Sequence, residues 1–125
     1  MNFRSLSTDD QKCPDHVFNA IKKYLLQGIQ PGSFTSCVLY NDFAGAVVRA
    51  DPESYRNLHG IAIFMSNYVY SYAWGSPSEV IKWKQNLKNE DWLRENQDLL
   101  KRIEVELEEY QERIVKPIKE YGTIE

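Results

Sequence analysis

Cys13 and His16 stand in C-x-x-H spacing, and Cys37 and His59 bring the possible zinc ligands to four. A structural zinc site draws on two tight ligand pairs, and here only one pair exists, so no metal is expected. Cys37 and His59 could also form a nucleophile–base couple if the fold joined them. That chemistry further needs an oxyanion-stabilising loop and a group to orient the imidazole. Neither is evident, and Cys37 reads as a small buried hydrophobe. Two-carboxylate chemistry would need Asp42 and either Asp51 or Glu53 to face one cleft, but Asp51 precedes Pro52 as a helix cap does. There is no phosphate-cradling glycine loop of the P-loop or dinucleotide type. No catalytic residue and no cofactor is assigned, and the chain is expected not to be an enzyme.

A second polar set is more suggestive. Asn41 and Asp42 fall inside an otherwise apolar helical pattern, where buried polar groups must be hydrogen-bonded. Arg49 follows Asp42 by seven residues, two helical turns, and could share a carboxylate network with it. One reading is a buried structural network. The other is a pocket, in which arginines contact phosphate or carboxylate and aromatic faces stack on a base. The pocket reading makes Asn41, Asp42, Arg49, Arg56, Asn67, Tyr70, Tyr72 and Trp74 the candidate ligand-binding residues, suited to a nucleotide-like ligand. Tyrosine-rich loops are also ordinary protein-binding surfaces.

The elements that must position these residues follow from composition and period. A chain of 125 residues is one domain, and 42% apolar content suffices for a core. A net charge of −3 disfavours a general nucleic-acid binder. No apolar run approaches the about 18 residues that span a bilayer, and the N-terminus lacks the apolar region of a secretory signal. Two cysteines make no disulfide framework. A cytoplasmic location is expected, with partners that are neither nucleic acid nor membrane.

An all-α domain is expected, divided into an arm over 1–13, a helical core over 14–88 and a helical extension over 89–125. Val17, Ile21, Tyr24, Leu25 and Ile29 draw an apolar stripe on a first helix that Gly28 and Pro31-Gly32 stop. Ser33 is expected to cap a second helix over 34–49, and Asp51-Pro52 to start a third over 52–68. Ser76, Pro77 and Glu79 mark a capping box for a helix over 77–88. The alternative is an α+β fold with short strands near 37–48 and 68–74. From Asn89 a long helix is expected to about residue 115, with Leu93, Leu100, Leu107 and Ile114 seven apart. Ile103 and Tyr110 occupy the other seam position, with Asn96 as a polar seam residue. The stripe either folds back on the domain or pairs with a second copy, and a homo-oligomer, most simply a dimer, is expected.

Gly32-Ser33-Phe34, Asn41-Asp42, Arg49-Ala50-Asp51 and Trp74-Gly75-Ser76-Pro77 together resemble a family of short, uncharacterised proteins of bacteriophages and bacterial genomes. Relatives more often carry proline, glycine and cysteine where this chain has Tyr70, Tyr72 and Ala73. The resemblance covers about 55 residues and implies a small all-helical domain of phage or prophage origin, in a host bacterial cytoplasm. The expected function is that of an accessory protein acting by binding: counter-defence, by sequestering a nucleotide-like signal or blocking a host protein. A structural or assembly subunit is the alternative, and a small hydrolase a weaker one.

Overall fold

The computed structural model describes residues 12–112, which form eight α-helices and no strand, so the fold is all-α. Helix α1 (Asp15–Gln27) buries Val17, Phe18, Ile21, Tyr24 and Leu25 and ends at Gly28, whose φ of 72° is left-handed. Ile29 lies past that end and is exposed, off the stripe expected of it. Over 37–48 and 68–74, where strands were the alternative, the chain forms helices and a 3₁₀ turn, Ser71–Ala73.

Three expected helices are each broken at an asparagine. The 34–49 helix is two, α2 (Ser33–Leu39) and α3 (Phe43–Arg49). Between them Asn41 takes φ 61°, a left-handed geometry that asparagine adopts more readily than most residues. The Asp42 carboxylate then caps α3 by accepting the Gly45 N–H at 3.0 Å. Asn41 and Asp42 are therefore exposed in a bend rather than embedded in a helix. Ser33 is the first residue of α2 and makes no cap; Gly32 holds that position.

The 52–68 helix is likewise two, α4 (Pro52–Arg56) and α5 (Leu58–Tyr68). Asn57 sits between them at φ −108°, and its Nδ2 donates to the Glu53 carbonyl at 2.8 Å. After α6 (Pro77–Leu87) the expected single tail helix is α7 (Glu90–Glu95) and α8 (Gln97–Tyr110). Asn96 bends the chain as Asn57 does: φ is −118° and Nδ2 donates to the Trp92 carbonyl at 2.8 Å. The other boundaries fall where the caps stand in the sequence. Asp51, Ser76 and Asn89 accept from the N–H groups of Ser54, Glu79 and Trp92.

Helix α8 folds back onto α1 and α5. Ile103, Leu107 and Tyr110 are at most 2% exposed within the single chain. Of the expected oligomer seam, these three residues are covered within the chain itself, the fold-back arrangement that the stripe also allowed. Leu93 and Leu100 are partly buried, Asn96 marks a bend, and Ile114 lies outside the described residues. The described part of the expected 89–125 extension thus shares one core with 14–88.

That core is tied by aromatic side chains. The Tyr110 ring lies 4.7 Å from Phe64, 4.9 Å from Tyr68 and 5.7 Å from Phe18, and its hydroxyl accepts the Cys13 N–H at 2.7 Å. The Tyr24 hydroxyl donates to the Ala73 carbonyl at 2.6 Å, and the Trp83 indole donates to the Leu25 carbonyl at 3.1 Å. Gly60 lets the Lys12 main chain cross α5, because a Cβ there would meet its carbonyl oxygen at 2.5 Å. Among the described residues no helix is long and apolar enough to cross a membrane.

Candidate functional site

The helix break at Asn41 opens a cleft of about 250 Å³ between the α2–α3 pair and α5. Its deepest residues are Cys37, Ala46, Ile61 and Met65, all buried. Val38, Leu58 and Ala62 extend the apolar wall, and Phe43 and Trp74 also line it. Phe43 is 77% exposed, so the lip of the cleft is aromatic as well. Asn41, Asp42 and Ser66 supply its other polar groups.

Local sequence explains this geometry. The left-handed Asn41 turns the chain so that Asp42 caps α3, and the cap fixes its carboxylate beside Gly45. A Cβ at position 45 would collide with that carboxylate and approach the Cys37 sulfur to 2.9 Å. Glycine there allows α3 to pack closely on α2. Trp74 follows the 3₁₀ turn in extended conformation, and the next residue, Gly75, donates its N–H to the Leu39 carbonyl at 2.8 Å. That bond fixes the Trp74 segment to the end of α2. The Trp74 Nε1 is buried and has no hydrogen-bond partner among the described residues.

Of the residues expected to bind a ligand, the cleft unites Asn41, Asp42 and Trp74. Arg49 does not meet Asp42; its Nη1 donates to the Gly45 carbonyl at 3.3 Å on its own helix, so the expected carboxylate network is not formed. Arg56 and Asn67 are exposed outside the cleft. Tyr70 packs on Trp83 and Tyr72 at 5.7 and 5.6 Å, and Tyr72 is 70% exposed; neither lines the cleft. Among the described residues no lysine, arginine or histidine lines it, and Asp42 is the one charged group that does. The apolar half, from Leu58 to Met65, was legible only as helix core, because a helical stripe does not say which of its residues face a gap.

The sulfur and imidazole groups separate. Cys13 is wholly buried, and burial pushes its thiol far above the ordinary range. Cys37 lines the cleft, while His59 is exposed on α5 and does not. A nucleophile–base couple is therefore not assembled there. His16 lies instead 3.7 Å from Asp51 and 3.6 Å from Glu53, with the Ser54 hydroxyl at 3.2 Å. This exposed cluster joins the starts of α1 and α4, and its spacing of 35 or more residues left no local signal.

Compared with protein-family models, curated proteins and solved structures, the chain matches none. What the site offers is apolar burial, two aromatic residues and one carboxylate.

Proposed function

We propose that the chain is a non-catalytic binding protein that sequesters a small, largely apolar ligand in the α2–α5 cleft. The observation that carries this reading is the cleft's construction: a buried apolar floor with aromatic sides and few polar groups, as small-molecule sites are generally built. Its volume of about 250 Å³ lies just below the usual range for such sites, which suits a fragment-sized ligand. A nucleotide-like ligand has less support, because a phosphate needs a cation and Arg49 is engaged elsewhere. The phage-type sequence motifs support an accessory role in the host cell, with counter-defence by ligand capture as its most specific form.

Blocking of a host protein is a second reading. It is favoured by Phe43 and Val48, 77% and 80% exposed on α3, since exposed apolar residues next to a groove are what partner surfaces use.

Native mass spectrometry of the protein purified from a bacterial lysate tests the first reading. The expected result is a small-molecule adduct on the wild type, released on denaturation, and absent from Ala62→Trp. Ala62 is exposed and lines the cleft, so a tryptophan there is expected to narrow it without entering the core. An adduct retained at equal occupancy in Ala62→Trp would remove the cleft from consideration.

A further inference from the structure

We propose that the cleft selects an organic cation: a ring-bearing molecule of fragment size with an ammonium group at one end. This rests on the reading of the cleft as a ligand site and specifies the chemistry it accepts. Three observations point the same way.

The first is charge. Among the described residues Asp42 is the one charged residue that lines the cleft, and no basic side chain there offsets its carboxylate. An anion entering would meet a fixed like charge, and a cation a fixed opposite one. The second is preorganisation. The Asp42 carboxylate is held by the Gly45 N–H, and the bend that delivers it is set by Asn41. It therefore needs little reordering to meet a ligand, which conserves affinity.

The third is the aromatic border. Phe43 and Trp74 line the same cleft as Asp42. The negative quadrupole of an aromatic ring face attracts ammonium groups, tryptophan most strongly. The distribution of polarity then orients the ligand. Asp42 and Phe43 are exposed at the mouth, whereas Ile61 and Met65 are 2% exposed at the floor. The ammonium stays at the mouth, where it keeps part of its hydration, and the ring is buried against the floor. This avoids the cost of burying a charge fully.

The test uses three probes that share one skeleton: phenethylamine, phenethyl alcohol and hydrocinnamate. The chain has two methionines, Met1 and Met65, so isotope labelling of methionine methyl groups gives one reporter on the cleft floor. Titrations followed at the Met65 methyl are expected to rank amine over alcohol over carboxylate, with the amine at least tenfold tighter than the carboxylate. In Asp42→Asn, which keeps a capping side chain, the amine should lose its advantage over the alcohol to within about twofold. If the alcohol or carboxylate binds as tightly as the amine, the cation inference fails and the cleft stands as a neutral site. If the amine's advantage persists in Asp42→Asn, the assignment to Asp42 fails. If none of the three moves the Met65 methyl, the cleft reading fails with it.

Discussion

Tyr110 joins three aromatic rings to the start of α1, and its hydroxyl is the partner of the buried Cys13 N–H. Tyr110→Phe leaves that donor unpaired while preserving the ring, so denaturant unfolding should show a loss of about 1–3 kcal/mol. Burial also pushes the Tyr110 phenol up to about 12. A phenol that holds its proton more tightly folded than unfolded contributes stability that is complete below about pH 10 and fades as the pH rises toward 12. Tyr110→Phe should accordingly reduce the alkaline slope of stability over that window. Asp51 has the opposite sign. The Ser54 hydroxyl, ahead of its N–H and of His16, holds the Asp51 carboxyl below its ordinary value. Its contribution is present above about pH 4 and is lost as the pH falls through the folded value. Asp51→Asn keeps a cap and removes the charge, so its stability profile should be flatter on the acid side than that of the wild type.

Elements in this chain start where side chains cap them and stop or bend where asparagines allow it. Ser76→Ala should lower stability by about 1 kcal/mol in thermal or denaturant unfolding, since the Glu79 N–H loses its acceptor. Asn96→Ala should lower it by about 0.5–1.5 kcal/mol, the loss of one hydrogen bond to the Trp92 carbonyl. The starts were legible: Asp51-Pro52, Ser76-Pro77 and Asn89 each show in sequence the group that accepts the orphan N–H. The bends were not. Asn57 and Asn96 each mask a carbonyl four residues back, and an asparagine inside an apolar period looks the same whether it sits on a helix surface or ends the helix. The cleft depends on the least legible of them, Asn41, whose left-handed backbone no hydrophobic period records.

At the scale of the whole molecule, the heptad-like stripe of α8 faces its own domain. Spacing by seven fits a second copy and a neighbouring helix of the same chain equally well; Leu107, at 0% exposure, is buried within its own chain. Leu107→Ala should therefore destabilise the folded chain itself by about 2–5 kcal/mol, read from denaturant unfolding. The all-α class follows from apolar periods and caps, which are local properties. The site does not, because it arises from the way α3 crosses α2 and faces α5.

The most direct test of the binding account is the Met65 methyl resonance, watched while the small-molecule fraction of a bacterial lysate is added to labelled protein. Met65 lies on the cleft floor, and Ala62→Trp provides the narrowed-cleft control. The account predicts a saturable shift of the Met65 signal in the wild type and none in Ala62→Trp. A ligand bound by the protein, confirmed by mass, that leaves Met65 unmoved would contradict it.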